Sequence, residues 1–226
     1  MSGQGLGEDA DAGTTGRGRI VLDLFATLDG VAQAPGGPEE DPTGGFRFGG
    51  WQAPFEDDAV SERVLGGIRR MDALLLGRRT YDIFAAYWPQ RTGGQEGMIG
   101  RRFNEVAKYV ATHGELSLPW EGTTVLGGDV ATEVDALRDR HREIHVIGSV
   151  EFIQTLLRES LYDELNLWVY PVVLGEGKRV FPEGAAPARL RLLEPPLSGS
   201  AGALLLRYGP AGEVEVGDMT TEVIAG

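Results

Sequence analysis

Hydrophobic and polar positions alternate along the first clear pattern in the chain, RIVLDLFAT at residues 19–27. An alternation of period two that is followed by an Asp-Gly pair predicts a strand closed by a turn. The next segment, residues 31–54, contains so much Gly and Pro that no regular element is expected there. Long loops of this kind inside a compact domain are usually functional, so we expect a lid. Apolar residues at helical spacing behind an acidic start then predict a helix within residues 57–72.

The middle of the chain alternates between short apolar runs and helical patterns. The run ALLLG at residues 73–77 is typical of a strand that is buried on both faces of a parallel sheet. Alternating strands and helices imply right-handed crossovers, so they predict a mostly parallel sheet with helices on both faces. Further strands are predicted at residues 108–112, 123–127 and 144–148, and helices at residues 78–88, 98–107, 130–142 and 150–160.

The pattern changes after Leu161, where strand-like segments follow one another without a helix between them. They cover residues 164–175, 189–198 and 203–210. Strands joined without a crossover helix pair antiparallel. The predicted fold class is therefore α/β, with a mostly parallel central sheet, flanking helices and an antiparallel C-terminal edge. Residues 212–226 are predicted to add one more strand or a tail.

The chain is predicted to form one domain behind a short leader. Residues 1–17 are rich in glycine and acidic residues and lack a hydrophobic stretch, which predicts a disordered leader and not a secretory signal. Residues 18–226 are predicted to form a single domain, because a hydrophobic content of 42% is ample for one core.

Charge and composition narrow the classes of function. The formal net charge of −13 repels nucleic acid and anionic membranes, so neither is expected as a partner. The absence of cysteine excludes disulfides and thiolate metal sites, and three histidines argue against a histidine-rich metal centre. No apolar run reaches the length of a membrane span. We therefore expect a cytoplasmic protein.

Two glycine corners follow predicted strands of the sheet. The first is GRRT at residues 77–80, which offers forked cations and a hydroxyl group suited to phosphate. In the second, Gly-Ser at residues 148–149 opens a helix directly after a strand, where backbone amides bind anions. Ligands of parallel sheets bind at the carboxyl ends of the strands, so two anion sites there predict a dinucleotide. Taken alone, the first corner is more simply interpreted as a solvated arginine pair on a surface helix. The second corner, taken alone, is more simply interpreted as an ordinary helix cap.

Neither corner is a G-x-G-x-x-G fingerprint or a P-loop, which disfavours a standard Rossmann site and a P-loop kinase. The stretches VLDLFATLDGV, LLLGRRTYDIFAAYWP, VIGSVEFIQTLL and YDELNLWVYPVVLGEGKRVF have an order and spacing that resembles the dihydrofolate-reductase-like superfamily. More narrowly, the chain resembles stand-alone proteins related to the reductase domain of the bacterial bifunctional riboflavin-biosynthesis deaminase-reductase, over residues 18–208. This resemblance implies that NADPH binds across the sheet edge.

The resemblance also implies cofactor contacts in four stretches of the chain. The first corner matches the family's glycine-arginine-x-threonine turn, whose arginine meets the 2′-phosphate and whose threonine meets the pyrophosphate. The third predicted strand ends near the adenosine phosphate. The histidine at this end is interpreted equally well as an exposed loop residue without a role in binding. The second corner lies beneath the pyrophosphate and nicotinamide, and the end of the first strand lies beside the nicotinamide. The implied residues are Gly77, Arg78, Arg79, Thr80, Thr112, His113, Gly148, Ser149, Val150, Ala26, Leu28 and Gly30.

With NADPH bound, the implied chemistry is hydride transfer to an electron-poor C=N or C=O, for which the protein supplies orientation and a proton. The candidate proton donors are Asp29 and the run of Glu56, Asp57 and Asp58 at the head of the helix after the Gly-rich loop. Dihydrofolate reductases carry their substrate-binding acid near the start of the corresponding helix, which favours Asp58 or its neighbours, so Asp29 and Asp58 are taken as the catalytic candidates. Trp51, Phe55 and Asp57 are candidate substrate-binding residues, the two aromatic residues by stacking on a flat heterocycle. Each acid also has a simpler interpretation, as a turn residue or as part of an acidic first helical turn.

The residues expected to bind the cofactor match the riboflavin-pathway enzyme better than the residues expected to bind its substrate. The acid and the proline of its longer substrate signature are missing, and Ile147 stands where it has a glutamate. The predicted function is an NADPH-dependent reductase of a small heterocyclic molecule, similar to 5-amino-6-(5-phosphoribosylamino)uracil reductase or to a dihydrofolate or pterin reductase. The alternatives are a non-catalytic nucleotide-binding module of the same fold and a structural assembly protein that uses its late apolar strands. Relatives commonly pair, so a homodimer is expected.

Overall fold

The computed structural model describes residues 16–218. In this part of the chain the strands are β1 (Arg19–Thr27), β2 (Ala73–Gly77), β3 (Ala107–Ala111), β4 (Thr123–Leu126), β5 (Glu143–Val146), β6 (Glu164–Tyr170), β7 (Leu190–Leu192), β8 (Leu197–Ser198) and β9 (Leu204–Pro210). The helices are α1 (Asp58–Arg70), α2 (Arg78–Tyr87), α3 (Gly94–Glu105), α4 (Val130–Leu137) and α5 (Val150–Arg158). Short 3-10 turns lie at Thr43–Gly45, Ala53–Phe55 and Trp88–Gln90.

These strands form one sheet in the order β4-β3-β2-β5-β1-β6-β9-β7, and β8 pairs with β9. In this order, the first six strands, β4, β3, β2, β5, β1 and β6, are all parallel. In contrast, β9 is antiparallel to β6, and β7 and β8 are antiparallel to β9. The connections explain this change, because no helix separates the last strands. The predicted fold class, including its antiparallel C-terminal edge, is confirmed.

Helices cover both faces of the sheet. On one face, Leu137 of α4 and Ile153 of α5 pack in a core with the buried side chains of β1 and β5. On the other face, Ile68 of α1, Tyr81 of α2 and Phe103 of α3 pack against β2. Burial of both faces accounts for the continuous apolar run of β2, all of whose residues are buried. Within the described residues, the helices are too short or too polar to cross a membrane.

Residues 31–54, where a lid was expected, hold no α-helix and no strand. Their apolar residues form a third core cluster with the end of β6. Trp51 is 7% exposed, its indole nitrogen donates to the carbonyl of Gln33 at 2.8 Å, and its ring lies 5.5 Å from that of Tyr170. The segment is therefore a packed wall beside the second face of the sheet.

The two chain ends are described only in part. Residues 1–15 and 219–226 lie outside the described residues, so most of the predicted leader and the end of the predicted strand or tail do too. Arg17, the last residue of that leader, donates to the carboxylates of Asp135 and Asp139 at 3.0 and 2.9 Å. Residues 211–218 form no strand.

Candidate active site

The two glycine corners lie directly against each other. Strands β2 and β5 are parallel neighbours, so both corners lie at the same edge of the sheet. The amide of Gly77 donates to the carbonyl of Gly148 at 3.0 Å, and the peptide bond between Gly148 and Ser149 is cis. A Cβ atom on Gly77 would lie 2.4 Å from Oγ of Ser149, and one on Gly148 would lie 2.6 Å from Oγ1 of Thr80. Any larger residue at either glycine would force the corners apart.

Two helices begin at this contact. Helix α2 begins at Arg78 without a side-chain cap, and α5 begins at Val150 with Ser149 as its cap. The first amides of a helix lack intrahelical partners, and the helix dipole makes this end positive. Together with the hydroxyl group of Thr80, these amides form a set of donors that suits the oxygens of a pyrophosphate.

Arg78 turns toward the loop that follows β3. Its guanidinium donates to the carboxylate of Asp82 at 2.9 Å and to the hydroxyl group of Ser117 at 2.7 Å. Thr112 and the exposed His113 begin the same loop. The structure thus brings Arg78, Thr112 and His113 to adjoining strand ends, as the implied adenosine-phosphate site requires.

Arg79 turns away from that loop toward the wall formed by residues 31–54. Its guanidinium donates to Thr43 at 2.9 Å and to the carboxylate of Asp41 at 3.3 Å. The ammonium group of Lys178 donates to the same carboxylate at 2.5 Å. Arg79 therefore helps to fasten the wall to α2, where it shares the carboxylate of Asp41 with Lys178.

A cleft with a volume of about 540 Å³ opens beside the corners, between α1, α2, the wall and the sheet. The predicted residues that line it are Arg79, Thr80, Gly148, Ser149, Val150, Phe55 and Asp57. The structure thus joins the second corner and part of the first to a cavity that can hold a flat ligand.

The predicted residues at the end of β1 do not line the cleft. Ala26 is buried in the core on the opposite face, because strand side chains alternate and Phe25 takes the cleft side. Leu28 is 67% exposed, and Gly30 has a φ of 80° in the following turn. Leu28 and Gly30 could contact a cofactor only from outside the cavity, and the buried side chain of Ala26 does not face the cleft.

Asp29 is tied into loops outside the cleft. Its carboxylate accepts from the hydroxyl group of Thr27 at 2.6 Å and from the amides of Leu174 and Gly175 at 3.2 and 2.8 Å. Burial alone would raise the pKa of Asp29, but these hydrogen bonds lower it to about 2. Asp29 is therefore ionised at neutral pH, and its placement does not favour the predicted role of proton donor.

The acids at the start of α1 are also placed unfavourably for proton transfer. Asp57 caps the helix, accepting from the amide of Val60 at 3.0 Å and from the hydroxyl group of Ser200 at 2.5 Å. The bond from Ser200, with that from Val60, lowers the pKa of Asp57 to about 2. Asp58 is exposed and does not line the cleft, whereas Glu56, just before the helix, is exposed and lines it. The acidic first turn thus serves the helix end, which was the simpler interpretation.

Aromatic side chains form the sides of the cleft. Phe25 and Trp168 are stacked, with ring centroids 6.1 Å apart and planes 13° apart, and Phe55 lies 5.9 Å from Tyr170. All four line the cavity, whereas Trp51 is buried behind them. Of the two aromatic residues predicted from the sequence, only Phe55 is placed to stack on a ligand.

The floor of the cleft carries a polar group that sequence reasoning missed. Asp23 of β1, His145 of β5 and Asn166 of β6 lie on three adjacent strands and line the cavity. Asp23 and Asn166 are direct partners in the strand register. In the sequence, each of these residues is a single polar position in the interior of an apolar segment. The strand order that makes the three residues neighbours cannot be read from the sequence.

His145 is a buried cation between two carboxylates. It is 2% exposed, with Nδ1 2.5 Å from Oδ2 of Asp23 and Nε2 2.9 Å from Oε1 of Glu143. Carboxylates only accept, so both ring nitrogens carry protons. Burial by itself would lower the pKa of His145, but the two carboxylates raise it to about 9. Burial likewise would raise the pKa of Glu143, which hydrogen bonds from His145 and Arg19 lower to about 2.

Comparison with known proteins identifies the family. The family model of the RibD C-terminal domain matches residues 19–196. The chain belongs to the RibD C-terminal domain family. Among curated relatives, YyaP of Bacillus subtilis (strain 168), described as uncharacterized, is 27% identical over 169 residues, which cover 72% of this chain and 80% of YyaP.

Solved structures share the fold of this RibD C-terminal domain at low sequence identity. A putative riboflavin biosynthesis protein from Shewanella sp. PV-4 has a TM-score of 0.61 and 17% identity, covering 86% of this chain and 99% of the other. Dihydrofolate reductase from Enterococcus faecalis has a TM-score of 0.53 and 17% identity, covering 87% of this chain and 98% of the other. The dihydrofolate-reductase-like resemblance is confirmed, and membership of the RibD C-terminal domain family supports an oxidoreductase.

Proposed function

We propose that this protein is an NADPH-dependent reductase that transfers hydride to a C=N or C=O bond of a small heterocycle. The observation that carries the proposal is the contact between the glycine corners at Gly77 and Gly148, since it joins two helix N-termini at one end of an aromatic-lined cleft. The dihydrofolate reductase of the same fold from E. faecalis is described as complexed with NADP(H). This supports a dinucleotide at the corresponding edge.

Three groups of residues would hold the 2′-phosphate of NADPH, its pyrophosphate and the substrate ring. NADPH supplies the hydride when bound, and the chain binds and orients its two halves. Arg78, Thr112 and His113 lie outside the cleft at the ends of β2 and β3, where they would hold the 2′-phosphate. Thr80 and Ser149 would hold the pyrophosphate at the corner contact. The cleft beyond the corners, with its aromatic sides, would receive the substrate ring.

A non-catalytic nucleotide-binding module is the second candidate. It is favoured by the states of Asp29 and Asp57, whose hydrogen bonds lower the pKa of each carboxyl group to about 2. Neither group can donate a proton at neutral pH, and Asp58 does not line the cleft, so these three predicted acids give no support to catalysis. Turnover, and not binding, separates the two candidates.

The test begins with calorimetric titration of the purified protein with NADPH and NADH. The loss of reduced-nicotinamide absorbance is then followed with dihydrofolate, dihydrobiopterin, flavin mononucleotide and the ribosylaminopyrimidine phosphate of the riboflavin pathway. Tight binding of NADPH with oxidation by one of these compounds supports the reductase. Binding without any oxidation favours the module, and the absence of NADPH binding overturns both.

Replacing Arg78 by alanine should separate the two coenzymes. A charge-assisted hydrogen bond to phosphate contributes about 1.5–3 kcal/mol, so NADPH should bind on the order of 10- to 100-fold more weakly. NADH lacks the 2′-phosphate, so its affinity should change little. Parallel titrations of wild type and Arg78→Ala measure both effects.

Arg79→Ala is the matched control for this prediction, because the adjacent side chain contacts Thr43 and Asp41 instead of the loop after β3. It should alter NADPH and NADH affinity by the same factor, through loosening of the wall. If Arg78→Ala weakens NADH as much as NADPH, Arg78 does not contact the 2′-phosphate.

A further inference from the structure

We propose that Asp23 and Asn166 on the cleft floor bind the N–H-bearing edge of a flat heterocyclic substrate, with His145 as a positioning residue that holds Asp23. This inference rests on the proposed function, since it names the substrate class of the same cleft. It depends on hydrogen-bonding capacity that the described residues leave unused at the floor.

Asn166 presents an unused acceptor. The side chain is 9% exposed, and its Nδ2 donates to Oδ1 of Asp23 at 2.9 Å. Because the carboxylate only accepts, the atom that faces it must be the amide nitrogen, which fixes the orientation of the amide. Oδ1 of Asn166 is buried and has no hydrogen-bond partner among the described residues. A buried carbonyl without a donor is costly, so a ligand that brings an N–H or O–H group would stabilise a side-chain position in which this oxygen turns to the cleft.

Asp23 offers a second acceptor next to the first. Its Oδ1 accepts from Asn166 and its Oδ2 accepts from His145, one hydrogen bond at each oxygen. Each carboxylate oxygen can accept two, so capacity remains at both. The side chain is 16% exposed and lines the cleft. Acceptors on the floor complement N–H donors on the edge of a ring, as in cyclic amides, ureides and aminopyrimidines.

His145 fixes the direction of this carboxylate. Its ring is held on its far side by Glu143, which in turn accepts from Arg19 at 2.6 Å and from Arg70 of α1 at 3.2 Å. Helix α1 closes over the ring: a Cβ atom on Gly67 would lie 3.3 Å from Cε1 of His145. The imidazolium therefore has little freedom to rotate, and the carboxylate that it holds is preorganised for a ligand.

The aromatic residues place the rest of the ring. Phe25 lies two residues after Asp23 on β1, and Trp168 lies two residues after Asn166 on β6. Two residues of a strand span about 7 Å, which is close to the length of a bicyclic heterocycle. A ring whose N–H edge lies on Asp23 and Asn166 would run past Phe25 and Trp168 toward the carboxyl ends of the strands. Its other edge would point toward the corners, beside which the proposed coenzyme would lie.

The test compares lumazine with 1,3-dimethyllumazine, which has the same ring but no ring N–H group. Both are titrated by calorimetry into protein saturated with NADP⁺, at a mildly acidic pH where the rings are uncharged. We expect the wild type to prefer lumazine by roughly ten-fold or more. Asn166→Leu and Asp23→Asn should reduce this preference to within about three-fold, and His145→Gln should reduce it partly. His141→Gln should retain it, because His141 bonds to Tyr109 away from the cleft.

The affinity of each variant for NADP⁺ separates the possible failures. If the wild type does not bind the coenzyme, the proposed function itself fails. If the coenzyme binds to every variant but lumazine does not bind, or if Asn166→Leu keeps the full preference, this inference fails and the reductase proposal stands. Should Asn166→Leu not fold, the wild type decides alone: equal affinity for the two rings overturns the inference.

Discussion

The Gly77→Ala variant should bind NADPH at least about ten-fold more weakly and should lose about 1–3 kcal/mol in free energy of unfolding. The added Cβ atom would lie 2.4 Å from Oγ of Ser149 and 2.9 Å from Cβ of Phe152. The φ of Gly77 is −74°, which alanine adopts without strain, so the effect is purely steric. Since both contacts belong to the start of α5, relief of the clash must separate the corners that the proposed cofactor site requires. Calorimetry and denaturant unfolding measure the two losses.

Two further variants make this result specific. Gly66→Ala in α1 is the matched control, because its nearest neighbour would be the flexible end of Arg70 at 3.6 Å. It should leave binding unchanged and add up to about 1 kcal/mol of stability through helix propensity. In a Ser149→Ala background, Gly77→Ala should cost less affinity than in the wild type, because the shortest contact is gone and the loss of the Ser149 hydroxyl is common to both proteins compared. Wild-type binding by Gly77→Ala alone would show that the corners are not in contact.

The free energy of unfolding should fall by an amount on the order of 3 kcal/mol, from the titration of His145 alone, as the pH rises from about 6.5 to about 9. The pKa of His145 is raised from 6.5 to about 9 in the folded protein. The folded state therefore holds this proton more tightly than the unfolded state. The stabilisation is complete below the unfolded pKa and is lost as the pH passes through the folded pKa.

The measurement is a series of denaturant unfolding curves across this range for the wild type and His145→Gln. Burial lowers the pKa of Lys108 to about 8, so that residue contributes an opposite slope above this pH. The difference between the two proteins removes this contribution, since Lys108 is present in both. A difference that stays constant with pH would show that His145 is not protonated between Asp23 and Glu143.

Local patterns were sufficient for most of the fold. Apolar residues form a continuous run in β2, alternate in β1 and recur at helical spacing in α1. Each pattern shows which faces of the element are buried, because burial repeats with the period of the element. The change after Leu161 predicted the antiparallel edge because strands without a crossover helix have few other ways to pair. The glycine corners were found for a similar reason: a strand, a glycine and a helix start are neighbours in the chain.

The roles of the acids were much harder to predict. Asp29 is satisfied by the amides of Leu174 and Gly175, and Asp57 by Ser200, all more than a hundred residues away in the chain. A carboxylate that accepts such bonds is stabilised as an anion, whatever its position suggests about proton transfer. Thr27 and Val60 are partners close in the sequence, but nothing near these acids indicates the distant ones. For the same reason, adjacent arginines at residues 78 and 79 could not be assigned to opposite sides of the site.

The sequence by itself determined the parallel α/β sheet, its antiparallel edge and the two glycine corners, because each depends on residues that are close along the chain. Only the tertiary structure decided that the corners touch, that Arg78 and Arg79 diverge, and that Asp23, His145 and Asn166 meet on one floor. The physical reason is that strand order is set by packing of the whole sheet. Side chains on β1, β5 and β6 become neighbours only when those strands pair.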